Sequence, residues 1–163
     1  MKQHRLAAAA FAALTALAAF ASATATWAAD TSKIPPTLKF AVVKANIADD
    51  KWVAAIDELK RMNEPGDADW NNLMGYSHRR AKKPDYAAAE KYYAAALQID
   101  PKHKGALEYS GEMYLVLGQL EMAEQRLAAL DQICNASCLE YGMLKKAIDD
   151  YKANGNKYVQ PAS

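Results

Sequence analysis

Alanine recurs every 34 residues in this chain, at Ala55, Ala89 and Ala123, and larger apolar residues keep the same interval. Trp52, Tyr86 and Leu120 form one column, Leu59, Tyr93 and Leu127 a second, and Met62, Ala96 and Leu130 a third. A period of about 34 residues admits few folds. It marks helix–turn–helix units that bury their apolar faces only by stacking on one another. The chain is so rich in alanine that the alanines alone carry little weight. The matched columns of large residues carry the inference.

The 163 residues leave room for one ordinary domain, and the first stretch stands apart from it. Lys2 and Arg5 open the chain, Leu6 to Phe20 runs without charge, and small residues continue to Ala29. That order describes a secretory signal peptide over residues 1–29. Ala23-Thr24-Ala25 and Thr26-Trp27-Ala28 both fit a cleavage site. The rival is an uncleaved anchor, but an alanine-rich run is weakly apolar for a membrane span, so stable insertion is not expected after processing. The alanine-heavy style suggests a bacterial source, which places the product in the periplasm or outside the cell. Removing Lys2 and Arg5 leaves 18 basic against 19 acidic residues. Nucleic-acid binding calls for a basic surplus, so it is set aside.

Residues 30–37 hold Pro35 and Pro36 and read as an extended leader. A first helix is expected from Leu38 to Ile47, on the spacing of Phe40, Val43 and Ile47. Asp49 and Asp50 are expected to cap the next, with Trp52, Ile56 and Leu59 on one face. Asn63-Glu64-Pro65-Gly66 ends it. Further helices follow at about Ala68 to Arg80, from Asp85 to Ile99, Lys104 to Leu117 and Leu120 to Ile133. Ser137 and Glu140 have capping-box spacing and predict a seventh helix from Cys138 to Lys152. Its stripe of Tyr141, Leu144, Ile148 and Tyr151 suits the last helix of a stack. Residues 153–163 are expected to fray as a tail. No strand pattern is present, so the fold class is all-α.

Leu107, Gly111 and Tyr114, followed by Ala123 and Leu127, match the pattern of a tetratricopeptide repeat, as do Gly75, Ala89, Tyr93 and Pro101 before them. Over Leu38 to Ile133 the chain resembles that family, and Arg126 to Tyr151 resembles the end of small exported bacterial members. The resemblance implies a right-handed superhelix of antiparallel helix pairs over residues 38–152. Two repeats are good, one is degenerate, and a capping helix follows. The chain departs from the pattern at Asn71, His78 and Asn135, and the Arg79–Pro84 turn carries about two extra residues.

Cys134 and Cys138 are the only cysteines. In an exported chain two thiols usually pair. Cβ atoms four apart in a regular helix lie about 5–6 Å from each other, whereas a disulfide needs about 3.5–4.5 Å. Pairing therefore requires a break in the helix, and Asn135-Ala136-Ser137 reads as one. Free thiols and redox chemistry at Cys138 remain open, although the spacing is C-x3-C. His78 and His103 lack the companions of a metal site, and no motif implies a cofactor, a small-molecule substrate or catalysis.

The resemblance further implies that the first helix of each pair lines a concave groove. Anchored on Gly75, the lining residues are Asn72, Tyr76, Arg79 and Arg80; anchored on Gly111, they are Glu108, Glu112 and Leu115. A basic, aromatic patch beside an acidic one suggests a peptide of mixed charge. The expected function is a non-catalytic adaptor of the cell envelope that binds a protein or peptide segment. Self-association into a homo-oligomer and a thiol accessory role are the alternatives.

Overall fold

A computed structural model describes residues 36–158. The signal-peptide reading of residues 1–29, the leader up to residue 35 and the tail after 158 lie outside the described residues. Among the described residues all regular structure is helical. It comprises α1 (Pro36–Lys39), α2 (Ala41–Ala48), α3 (Trp52–Met62), α4 (Ala68–Arg80), α5 (Tyr86–Ile99), α6 (Lys104–Val116), α7 (Leu120–Cys134) and α8 (Leu139–Ala153).

The expected first helix is split, and its first piece begins at Pro36, within the stretch expected to be an extended leader. Phe40 leaves helical geometry at φ −108° and ψ 21°, and its ring is buried. Three capping expectations are corrected. Asp50 takes a left-handed φ of 55° and caps nothing, because Lys51 is the N-cap of α3 and offers no side-chain bond. The left-handed residue that ends α3 is Asn63, not Gly66. Ser137 does not cap α8; its hydroxyl turns back and donates to the Cys134 carbonyl. Other starts follow the sequence. The Asp67 carboxylate accepts from the Trp70 amide at 2.9 Å, and Asp85 accepts from Ala88 at 2.9 Å, each satisfying a first-turn donor.

The entry to α4 is tied to earlier elements. Trp70 Nε1 donates to the Leu59 carbonyl at 2.7 Å, and Lys39 reaches Asp67 at 2.6 Å as well as Glu64. Burial would raise the Asp67 pKa, but the Lys39 ammonium and the Trp70 amide hold it below the usual carboxylate value.

Short turns make neighbouring helices antiparallel. Helix α2 packs on α3, α4 on α5 and α6 on α7, and each pair leans on the next through α3–α4, α5–α6 and α7–α8. The 34-residue columns point into these seams: Ala55, Ala89 and Ala123 are all fully buried. The buried apolar side chains form two clusters instead of one. Phe40, Val43, Leu59, Trp70 and Met74 build the first, and Tyr93, Leu107, Met113, Leu130, Leu144 and Ile148 belong to the second. The arrangement is therefore repeat-like, with neighbouring helices burying one another's faces along the stack.

Two glycines allow the close approaches. A Cβ on Gly75 would lie 2.8 Å from the Tyr93 ring, and one on Gly111 would lie 2.6 Å from Leu144. Tyr93 is 1% exposed and cannot yield without moving its neighbours. Gly75→Ala should therefore destabilise by about 1–3 kcal/mol in urea unfolding. Gly142 in α8 has nothing within 4 Å of a built Cβ. Gly142→Ala should be neutral or stabilise by up to about 1 kcal/mol, on helix propensity. Equal losses at the two positions would refute the close-approach account.

Candidate functional site

Helices α2, α4, α6 and α8 share one side of the fold, and its floor is an ion pair. Arg79 of α4 and Glu112 of α6 meet at 2.8 Å (Nη1 to Oε2) and are 7% and 8% exposed. Aromatic rings cover the guanidinium, with Tyr76 and Tyr109 centred 5.5 and 5.6 Å away. The two rings lie 4.6 Å apart, and Trp52 extends the row at 6.0 Å from Tyr76. Arg80 sits over Trp52 at 5.6 Å. A cation among ring faces is favoured by the ring quadrupole, most strongly when water is excluded. Burial works against the Arg79 charge, but Tyr93 and Glu112 raise its pKa above the ordinary value.

The expected arrangement of patches is corrected here. Arg79 and Glu112 do not face a partner as separate basic and acidic patches, because each neutralises the other. The cause is register: side chains 33 positions apart fall opposite each other across α4 and α6. Leu115 is 1% exposed and belongs to the second core cluster, where α7 and α8 pack on α6. It is out of a partner's reach. Tyr76 and Arg80 are half-buried, while Asn72 and Glu108 are buried at 7% and 2% exposure.

Beside this floor lies a cavity of about 410 Å³ at the N-terminal ends of the same helices. Phe40 and Lys44 border it on the α2 side, and Asp69, Asn72 and Leu73 come from α4. Gly105, Glu108 and Tyr109 of α6 form its base, with His103 just before them, and Leu139, Glu140 and Met143 of α8 close it. His103 caps α6 by accepting from the Ala106 amide at 3.0 Å through Nδ1, and its Nε2 meets Asp69 at 3.0 Å. Asn72 lies over Gly105, whose Cβ would come within 3.1 Å of the amide nitrogen. Two buried oxygens of its lining side chains have no hydrogen-bond partner: Oδ1 of Asn72 and Oε1 of Glu108. Buried acceptors without donors are costly and uncommon.

Glu108 is the most perturbed acid. Burial pushes its pKa up to about 8, with Glu112 and Glu140 adding to the rise and Arg79 opposing it. The unfolded value is about 4.3, so the native state holds the proton more tightly between those two values. Stability contributed by this group is then greatest at low pH and falls as pH rises through that window.

A larger cavity of about 710 Å³ opens where the start of α3 meets the turn after α4. Trp52, Val53, Ala81, Lys82 and Lys83 line it, which is where the turn carries its extra residues. None of its lining side chains carries an unpartnered buried polar atom. The α4–α6 cavity is the chemically specified one.

Past α8 the chain turns at Gly155, φ 66°, with the Asn156 amide donating to the Tyr151 carbonyl at 2.9 Å. Tyr158 then packs against the core. Burial, followed by the nearby Glu112 carboxylate, raises its pKa, and Arg79 and Arg80 lie beside it. The stretch read from the sequence as a tail thus turns back, over residues 154–158, against the core. Cys134 and Cys138 are joined, with Cα atoms 5.7 Å apart, and Asn135 and Ala136 between them take left-handed φ values of 49° and 57°. His78 stacks on Tyr92 at 5.5 Å, and burial lowers its pKa.

Sequence reasoning missed the α8 wall, Asp69, His103 and Tyr158. A signal for the wall was present: Leu139 and Met143 are apolar residues off the buried stripe of α8, and they are 74% and 44% exposed. Comparison with known protein families, curated proteins and solved structures returns no match.

Two measurements test the site's electrostatics. Glu108→Gln should gain stability over the wild type as pH rises from about 4 to 8, by up to a few kcal/mol, and no further above that. A difference that ignores pH would refute the raised pKa. Glu112→Gln leaves Arg79 buried without its partner and should cost about 3 kcal/mol or more. The double variant Arg79→Met with Glu112→Leu should cost less than either single change, as read by a double-mutant cycle of urea unfolding.

Proposed function

We propose that this protein is an exported, non-catalytic adaptor of the tetratricopeptide type, which holds a segment of another protein along α2, α4, α6 and α8. The observation that carries the reading is the composition of one cavity. The first helix of every successive pair, together with the last helix, contributes side chains to it. Stepwise burial in two clusters and the 34-residue columns support the same reading. A surface built by several repeats suits an extended guest, since each repeat meets a different part of it. The work is positioning, with no covalent step. The mixed-charge guest suggested by sequence is narrowed, because Arg79 and Glu112 satisfy each other.

A photocrosslinking residue placed at Met143 in exporting cells tests the reading, with Gln132 on α7, also exposed, as the control. The expected result is an adduct with a second protein from Met143 and none from Gln132. That complex should also re-form from purified components. Equal adducts from both positions would overturn the groove, and an adduct with another copy of this chain would favour self-association.

A further inference from the structure

We propose that the cavity between α4, α6 and α8 receives the side chain of a lysine or arginine carried on an extended segment of the partner protein. This inference rests on the groove reading above and specifies its chemistry.

Unmet hydrogen bonding supplies the first argument. Asn72 and Glu108 line the cavity, and one side-chain oxygen of each (Oδ1 and Oε1) is buried and lacks a donor. With Glu108 ionised both are acceptors, which N–H groups of a guest would satisfy, and an ammonium or guanidinium offers three to five of them. Charge supplies the second. Asp69 is engaged by His103 at 3.0 Å, and Glu140 has Lys104 only at 3.9 Å. Glu108 has no cation on it among the described residues. Lys44 stands at the rim and is exposed.

Shape supplies the third. Leu73 and Met143 give the cavity apolar walls, and Lys or Arg stems bury their methylenes on such surfaces while the head group seeks charge. About 410 Å³ is at the small end of ligand-sized cavities, so it suits a side chain with some backbone. A metal ion is a poor rival, since no three His, Cys, Asp or Glu side chains among the described residues converge to hold one.

Binding should be linked to pH. The groups around Glu108 are Arg79 and Asp69 of α4, Glu112, Tyr109 and His103 on or beside α6, Glu140 of α8 and Lys44 of α2. The carboxyl of Glu108, at about 8, must lose its proton to pair with the guest. Affinity should therefore rise about tenfold between pH 7 and pH 9, as the ionised fraction grows from roughly a tenth to nine-tenths.

The test uses the mature protein and capped pentapeptides of alanine with a central lysine, arginine or norleucine, measured by calorimetry. The lysine and arginine peptides should bind at least about tenfold more tightly than norleucine, and Glu108→Gln should remove that preference. Glu140→Gln, which leaves the buried acceptors intact, should weaken binding only a few-fold. Equal binding of norleucine would overturn the inference while leaving the groove in place. Binding of capped arginine alone as tightly as its pentapeptide would overturn the segment and leave a free cation. No peptide binding, together with no Met143 adduct, would remove the groove itself.

Discussion

The buried pair of Arg79 and Glu112 is the interaction on which the binding side depends. It joins α4 to α6, two helices that do not follow one another in the chain, and it is roofed by Tyr76 and Tyr109. Such a pair adds little net stability, because desolvating both charges offsets their attraction. What it supplies is register. An α6 slipped by one residue would leave a guanidinium and a carboxylate buried apart, which is far worse than either paired or solvated. The same register sets Glu108 one turn back along α6, toward Asn72.

Most of the fold was legible because its determinants are local or periodic. Helix starts at Asp67 and Asp85 follow from one side chain reaching one amide, and the alanine columns follow from the spacing of stacked pairs. Gly75 and Gly111 were identifiable as close approaches, although only the structure shows that Tyr93 and Leu144 are the groups approached. Failures occurred where two candidate residues competed for one role. Asp50 and Ser137 have the right chemistry for caps, yet the turns before α3 and α8 send them elsewhere.

The site was half legible for a different reason. Helical periodicity says which residues share a face, and on that basis Asn72 was grouped with Arg79 and Glu108 with Glu112. It cannot say what stands across from that face. The pairing of Arg79 with Glu112, the cover over Leu115 and the wall supplied by α8 are all contacts between helices distant in sequence. His103 was set aside for lack of metal-site companions, yet it serves as cap and carboxylate partner at once. Nothing in the local sequence marks that double role.

Division of the interior into two clusters has a consequence for how the molecule comes apart. Where burial is divided between two clusters, opening need not be all-or-none, because parts of the stack can open as separate cooperative units. The seam between the clusters runs near α4 and α5, with Trp70 and Met74 on one side and Tyr93 on the other. The first cluster gathers α2, α3 and α4 and the second α5 to α8, so the Phe40 and Lys44 rim of the cavity hangs on the first while the α8 wall hangs on the second. The two edges of the proposed receiving surface thus answer to separate parts of the interior.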